Sequence, residues 1–216
     1  MMINKDINTN LSNSKKVFLL DIGRVLLDFD FESSLSRLIP SSIKNPEERI
    51  KHVLSKKDIL EAGLITPEYF AQWALAVLNS DVTIEQFYQV WQQIFTVNEL
   101  MWQCIRKLAC DGHRLILISN INAIHCPWIF STYPDFIYFE ATILSFNIGM
   151  LKPQPEIFQY AIDTYKLPVE SVIYVDDMPQ NIITGKKFGF KCWQYDINYH
   201  QVFEAWLEEL MFTKKL

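Results

Sequence analysis

The chain has 216 residues, of which half are hydrophobic and 21% are charged, and its formal net charge is −5. This composition is typical of a globular protein with a full hydrophobic core, and the length suits one domain or a core with a small inserted domain. The acidic balance and the lack of a long basic run exclude nucleic acid as an expected partner.

The sequence also argues against disulfides and membrane segments. Its four cysteines form no C-x-x-C pair and suit no zinc site, so we expect reduced thiols in a cytoplasmic protein. The longest uncharged stretch, residues 115–134, is interrupted by polar residues, and no bilayer span or membrane partner is expected. The polar residues 1–14 lack the apolar region of a signal peptide and are predicted to form a flexible N-terminal tail. The oligomeric state is left open.

The first predicted element is the strand VFLLD at residues 17–21, a short apolar run that ends in a carboxylate. Residues 32–97 differ from the rest of the chain because they carry helical patterns and no strand-like run. We therefore predict a helical insertion at residues 32–97. Within it, the turn Glu61–Ala62–Gly63 is a candidate specificity loop.

Strands and helices alternate after the insertion. Apolar residues at helical spacing predict helices at 98–112, 155–167 and 180–188. Apolar runs predict strands at 114–119, 172–177 and 190–195, with a weaker strand within 137–144. Such alternation predicts an α/β fold, a doubly wound parallel sheet with helices on both faces. Its core would comprise residues 15–31 and 98–216.

Polar side chains stand at the carboxyl ends of three predicted strands, the edge at which ligands bind in a doubly wound sheet. They are Asp21, Ser119 with Asn120, and Asp176 with Asp177, and Lys152 adds a cation from the loop GMLKPQPE. This set combines a carboxylate nucleophile, a hydroxyl, an ammonium group and an acidic pair. Each of these groups suits one part of a phosphoryl transfer.

Asp21 can attack phosphorus and form an aspartyl phosphate. Because the nucleophile and the phosphate are both anionic, a Mg²⁺ ion held by oxygen ligands and the charge of Lys152 would offset their repulsion. Ser119 can donate a hydrogen bond to the phosphoryl oxygens. Gly23 would let the backbone approach the metal closely, with its carbonyl as a ligand.

With these motifs in this order, the chain resembles the haloacid dehalogenase-like hydrolase superfamily. The motifs are DIGRVL at 21–26, SN at 119–120, LKP around Lys152 and VDDMPQN at 175–181. The segments SNINAIH and PDFIYFE and the helix after LKPQPEIF resemble one branch in particular, the bacterial glucose-1-phosphate phosphatase-like proteins. The insertion at residues 32–97 resembles the helical cap domain of the superfamily, on a Rossmann-like core.

The resemblance implies a role for each matched residue. Asp21 and Lys152 would be catalytic, and Ser119 would bind the phosphoryl group. The implied metal ligands are Asp21, the carbonyl of Gly23, Asp176 and Asp177, the last two directly or through water. Which of the two is the direct ligand is left open. Further groups around the substrate would be Asn120 and Asn181.

Two positions depart from the family pattern. At Arg24 a small or amide residue is usual, and this side chain is a candidate contact of the substrate phosphate or of the cap, or equally a solvated charge. The common first motif has a second Asp, two positions after the nucleophile, that protonates the leaving group and later activates water, and here this position is Gly23. Two hypotheses follow. The first is a Mg²⁺-dependent phosphatase of a small phosphorylated metabolite, with a sugar phosphate preferred. The alternative is a catalytically weak or inactive protein of the same fold that binds a phosphorylated ligand. His125 is a candidate substitute acid, with a structural role as the alternative.

Overall fold

The computed structural model of the protein describes residues 15–212, so the predicted tail at 1–14 lies outside the described residues. Seven strands are present there. They are β1 (Val17–Leu20), β2 (Leu27–Phe29), β3 (Phe95–Val97), β4 (Arg114–Ser119), β5 (Ala141–Leu144), β6 (Val172–Asp176) and β7 (Lys191–Gln194). Five of them form a parallel sheet in the order β5-β4-β1-β6-β7. The predicted strands of the core are confirmed.

Eleven α-helices accompany these strands within the described residues. They are α1 (Phe31–Ser36), α2 (Pro46–Leu54), α3 (Lys57–Glu61), α4 (Pro67–Leu78), α5 (Ile84–Gln92), α6 (Glu99–Cys110), α7 (His125–Thr132), α8 (Ser145–Ile148), α9 (Pro155–Tyr165), α10 (Pro179–Lys187) and α11 (His200–Phe212). Short 3-10 helices lie at Pro134–Tyr138, Val169–Ser171 and Ile197–Tyr199. No helix among residues 15–212 is long and apolar enough to cross a membrane.

The sheet is buried on both faces, and successive side chains of each strand point to opposite faces. Phe18 and Leu20 of β1 pack into a cluster with residues of α6 and α11. Val17 and Leu19 pack on the other face with residues of α9 and α10. Since helices cover both faces of a parallel sheet, the predicted fold class, a doubly wound α/β fold, is confirmed.

Helices α1 to α5 build a third hydrophobic cluster around stacked aromatic side chains. The rings of Phe87 and Trp91 stack at 5.6 Å, and Phe70 packs against both. These helices occupy the segment for which the sequence predicts a helical insertion, and we refer to residues 32–97 as the cap. That the cap is a separate domain stays a proposal, which its own hydrophobic cluster supports.

A two-stranded antiparallel ribbon joins the ends of the cap to the core. It pairs Leu27 with Val97 and Phe29 with Phe95. The prediction that residues 32–97 contain no strand is wrong, because β3 lies at Phe95–Val97. The strand has only three residues, and its pairing with β2 alone forms it, so no periodic pattern could reveal it.

Candidate active site

Three strand ends meet at the carboxyl edge of the sheet. β1 lies between β4 and β6, with Leu20 level with Leu117 and Val175. Asp21 follows β1, and its backbone N–H donates to the carbonyl of Val175 at 3.1 Å. Ser119 ends β4 and Asp176 ends β6. The parallel register therefore brings together residues that are 57 to 155 positions apart in the sequence, as expected for ligand sites in this class of sheet.

Lys152 reaches this edge from the loop between α8 and α9. Its Nζ lies 2.9 Å from Oδ1 of Asp21 and 2.6 Å from Oδ2 of Asp176, and its side chain is 1% exposed. Asn120 holds the loop in place, because its amide donates to the carbonyl of Lys152 and accepts from the Lys152 N–H, both at 2.9 Å. The ammonium group is thus fixed between two buried carboxylates.

Asp176 is fully buried, and donors surround both of its oxygens. Oδ2 accepts from Lys152 and from the hydroxyl of Tyr174, each at 2.6 Å. Oδ1 accepts from the N–H of Met178 and from the amide of Asn181, each at 2.9 Å. A carboxylate offers about four acceptor positions, so those of Asp176 are occupied. Its first task in this geometry is to anchor the loop and Lys152.

Charge and burial shift the pKa values of these groups. Burial raises the pKa of Asp21, although the charge of Lys152 opposes the shift. Burial, reinforced by Asp21 and Asp176, raises the pKa of Asp177 to about 7. Burial would lower the pKa of Lys152, but the two carboxylates outweigh it and raise that pKa. Three acidic groups around one ammonium leave an excess of negative charge, which a cation would offset.

The three acidic residues also fit a divalent cation. One carboxylate oxygen from each of Asp21, Asp176 and Asp177 lies within 4.8 Å of the other two. Carboxylate oxygens are the ligands that Mg²⁺ prefers. Gly23, which has no side chain, lines the same cavity with its backbone. Because the oxygens of Asp176 already accept four hydrogen bonds, Asp177 has the freer carboxylate of the pair.

A cavity of about 510 Å³ opens over the cluster, within the range of small-molecule sites. Its core end is formed by Asp21, Ser119, Asn120, Lys152 and Asp177. Its cap end includes Lys57, Asp58 and Glu61 together with apolar side chains. The structure therefore brings together all but one of the predicted site residues, and it adds charged residues from the cap.

The cap end contains a partly buried ion pair that is not among the site residues predicted from the sequence. Glu61 Oε2 lies 2.7 Å from Lys57 Nζ, one helical turn away on α3. Burial raises the pKa of Glu61 to about 7, although Lys57 works in the opposite direction. From the sequence, the Glu61–Ala62–Gly63 turn is only a candidate specificity loop. The i,i+4 spacing of Lys57 and Glu61 was the available signal, but such pairs are common on exposed helix faces.

Arg24 is the predicted site residue that lies elsewhere. Its backbone is left-handed, with φ of 57°, and its guanidinium pairs with Asp28 and lies 4.4 Å over the Phe29 ring. It lines a second cavity beside the ribbon, together with Asp28 and Asp30. The geometry favours the interpretation of Arg24 as a surface charge over that of a phosphate ligand.

His125 has a structural environment. It is buried, its ring stacks on Trp91 at 5.3 Å, and its two nitrogens contact the carbonyl of Trp91 at 2.8 Å and the amide of Asn122 at 3.0 Å. Burial lowers its pKa to about 3, so the ring stays neutral at physiological pH. These contacts favour the alternative of a residue that joins core helix α7 to cap helix α5.

The profile of the haloacid dehalogenase-like hydrolases matches residues 15–189. The chain belongs to this family. A curated relative, the D-ribitol-5-phosphate phosphatase of Bacteroides thetaiotaomicron, is 28% identical over 83% of this chain and 91% of its own length. The predicted family is confirmed, and the profile together with this relative supports the predicted enzyme class, a phosphoric monoester hydrolase.

Solved structures of the family share the fold. The enzyme BT-2542 of B. thetaiotaomicron is 25% identical, with a TM-score of 0.74 over 88% of this chain and 98% of that one. It has also been solved in complex with magnesium and inorganic phosphate. A predicted hydrolase of the haloacid dehalogenase-like (HAD-like) family from Porphyromonas gingivalis, 20% identical, matches with a TM-score of 0.71 over 93% of this chain and 99% of its own. Because the matches cover 88% and 93% of this chain, they include both the core and the cap.

Proposed function

We propose that this hydrolase is a Mg²⁺-dependent phosphatase that cleaves a sugar phosphate or sugar-alcohol phosphate through an aspartyl phosphate on Asp21. The observation that carries the proposal is the buried cluster in which Lys152 lies 2.9 Å from Asp21 while Asp176 and Asp177 flank the same point. A carboxylate beside an ammonium group and further acidic ligands is suited to attack on phosphorus.

The chain's own residues would divide the work as follows. Asp21 attacks in line, and Lys152 neutralises charge on the nucleophile and on the phosphoryl oxygens. Ser119 donates to a phosphoryl oxygen. Asn120 is a positioning residue, because its amide is used on the backbone of Lys152. Asp176 keeps Lys152 in place.

Mg²⁺ would be held by Asp21, Asp177 and the carbonyl of Gly23, with Asp176 contributing through its charge. When bound, the ion would offset the repulsion between the nucleophile and the phosphate. The oxygen donors of this chain support the assignment, and the magnesium complex of BT-2542 is consistent with it.

The substrate class rests on the cavity and on the relative. A volume of about 510 Å³ accommodates a small metabolite, and the Lys57–Glu61 pair at the cap end can hydrogen-bond to hydroxyl groups. The curated relative acts on D-ribitol 5-phosphate. A five- or six-carbon polyol or sugar with a terminal phosphate matches both features.

Phosphate release from a panel of sugar and sugar-alcohol phosphates, measured with Mg²⁺ and with EDTA, tests the proposal. Wild-type protein should release phosphate only with Mg²⁺, and Asp21→Asn should reduce release to background because the nucleophile is lost. Asp163→Asn, which removes an exposed carboxylate from α9, should retain wild-type activity. Metal-dependent binding of phosphate without turnover of any substrate would instead favour the non-catalytic alternative.

A further inference from the structure

The proposed function leaves the proton for the leaving group unassigned. When Asp21 attacks a sugar phosphate, the departing alkoxide must take up a proton. Ile22 and Gly23, which follow the nucleophile, carry no proton donor. The Phe29 ring also lies against Gly23, where a Cβ atom would be 3.0 Å from it. The donor must therefore come from another wall of the cavity.

Few groups qualify. Among the described residues, the cavity is lined by six ionisable side chains besides Asp21, namely Lys57, Asp58, Glu61, His125, Lys152 and Asp177. An acid for this step must hold its proton near neutral pH, must release it readily, and must not be engaged as a metal ligand.

The core end of the cavity supplies no suitable acid. Lys152 is locked between Asp21 and Asp176, which raise its pKa above the ordinary value, so it keeps its proton. Both nitrogens of His125 are committed to the Trp91 carbonyl and to Asn122. Asp177 belongs to the carboxylate cluster that fits a cation.

The cap end supplies one. The side chain of Asp58 is 76% exposed and pairs with Lys57 at 3.1 Å. Lys57 in turn has a raised pKa, because Glu61 and Asp58 outweigh the effect of burial. Glu61 has a side chain only 7% exposed and lines the same cavity as the nucleophile. Elimination therefore leaves its carboxyl group.

We propose that Glu61 is the general acid of this enzyme and that its carboxylate then acts as the general base. In the first step an oxygen of Asp21 bonds to phosphorus, the bond from phosphorus to the alcohol oxygen breaks, and the Glu61 carboxyl proton passes to that oxygen. In the second step water attacks phosphorus and gives a proton to the Glu61 carboxylate. The bond between phosphorus and Asp21 then breaks, which releases phosphate. Asp21 is again a carboxylate, and Glu61 is again protonated.

Contacts with the core hold Glu61 over the site. The Ser145 hydroxyl donates to the carbonyl of Glu61 at 2.6 Å and accepts from the N–H of Ile121 at 3.0 Å, two residues beyond Ser119. Two residues after Glu61, a Cβ on Gly63 would be 2.4 Å from the carbonyl oxygen of Phe146, so the cap loop rests directly on α8. The loop is thus seated on the same core segments that carry the phosphate site.

The charge state of Glu61 suits both steps. Burial raises its pKa to about 7; Lys57 lowers it, and Asp58 and Asp21 raise it further. A group with such a pKa is protonated in part of the molecules at neutral pH and can also accept a proton, which is the optimum for an acid that becomes a base. The neighbours of the loop on α8, Ser145 and Phe146, carry no charge.

Glu61→Gln tests the proposal with two kinds of substrate. One is p-nitrophenyl phosphate, whose phenolate leaves without a proton, and the other is the best sugar or sugar-alcohol phosphate of the panel. For the sugar substrate, kcat/KM should fall by about 100- to 10,000-fold, and for p-nitrophenyl phosphate by less than about threefold. The second step would still need the base, so the variant should release about one equivalent of p-nitrophenolate in a burst before slow turnover.

Controls separate this proposal from the proposed function. Glu61→Asp keeps a carboxyl group and should retain more activity on the sugar substrate than Glu61→Gln, and Glu68→Gln on the exposed face of α4 should behave as wild type. Equal losses on both substrates without a burst, in a variant that melts like the wild type, would overturn the assignment of Glu61. Wild-type protein that shows no Asp21-dependent release would overturn the proposed function itself.

A pH profile gives a further readout. Wild-type kcat/KM for the sugar substrate should fall as the pH rises through about 7, since the acid form of Glu61 is lost there. Glu61→Gln should lack this decline. A decline of the same midpoint and size in the variant would contradict the proposal.

Discussion

The two ends of the cavity are built in different ways. At the core end, Asp21, Lys152 and Asp176 stand on strand ends and on a loop that Asn120 fixes, and each carboxylate has an opposite charge within 2.9 Å. At the cap end, Lys57 and Glu61 stand on a five-residue helix, and their position depends on how the cap loop rests on Ser145 and Phe146. The sheet dictates the first end, whereas contact between cap and core creates the second.

This difference bears on function. A rigid set of charges suits the phosphoryl group, which is the same in every substrate of a phosphatase. A set of charges carried by the cap can exclude water and meet the variable part of the substrate, because a cap is able to move relative to its core. The following variants test this division of roles, in order of expected effect.

Lys152→Met should have the largest effect, on both stability and activity. It would leave Asp21 and Asp176 buried without their shared cation, and breaking a buried pair in this way costs about 3–5 kcal/mol of unfolding free energy. Turnover should fall by at least about 100-fold. Denaturant unfolding in EDTA and phosphate release would measure the two effects.

Lys187→Met is the matched control, because this lysine is exposed in the last turn of α10. Its unfolding free energy should stay within about 0.5 kcal/mol of the wild-type value. If Lys152→Met were as stable as the control, the core end would not depend on its ion pairs.

Glu61→Gln should change the way in which stability depends on pH. The folded pKa of Glu61, about 7, exceeds its ordinary 4.5, so the stability that the group contributes is complete below pH 4.5 and is lost as the pH rises through 7. Glutamine does not titrate. The unfolding free energy of the variant minus that of the wild type should therefore rise by about 3 kcal/mol between pH 4.5 and pH 8.

Denaturant unfolding of both proteins across this range, in EDTA, gives the difference, and the constant effect of losing the Lys57 partner cancels in it. Glu68→Gln removes an exposed glutamate from the cap and should show a far smaller change with pH, since exposed charges interact weakly. A flat difference for Glu61→Gln would mean that the cap end is open to solvent.

Gly63→Ala probes the contact between the cap loop and α8 of the core, and it should have the smallest effect. Gly63 and Gly149 have nearly the same left-handed backbone, with φ of +68° and +69°, so alanine costs about 1 kcal/mol at either position. Only at Gly63 does the added Cβ meet a backbone oxygen, that of Phe146 at 2.4 Å, whereas Gly149 has nothing within 4 Å.

Gly63→Ala should therefore raise KM several-fold, since the cap loop is pushed from the core. Its unfolding free energy should fall by about 1–2 kcal/mol more than that of Gly149→Ala. Thermal unfolding and steady-state kinetics of the two variants make the comparison. Equal behaviour of the two would show that the loop does not rest on α8.

Much of the core could be predicted from the sequence, because its signals are local. Buried parallel strands appear as short apolar runs, and the polar residue at the end of each run marks the ligand edge. Asp21, Ser119 and Asp176 were found in this way. The ribbon strand β3 was missed, because three residues that pair only with β2 leave no pattern. Within the predicted helical insertion, the chain breaks at Ser55 and Lys56 between α2 and α3.

The roles of single polar side chains were harder to predict. Asn120 was expected to contact substrate, but its amide faces the backbone of Lys152, from a loop 32 positions away in the sequence. Arg24 was a candidate phosphate ligand, but its backbone is left-handed and its guanidinium pairs with Asp28, away from the carboxylate cluster. In both cases the partner of the side chain is set by folding at a distance and not by neighbouring residues.

The sequence by itself determined the order of strands and helices, the helical character of the cap and the identity of the residues at the strand ends, because hydrophobic periodicity and chain direction are local properties. Only the tertiary structure decided that Lys152 bridges Asp21 and Asp176, that Phe29 lies beside Gly23, and that Glu61 faces the nucleophile's cavity. These facts depend on packing between distant segments, and burial there sets the charge state on which the chemistry depends.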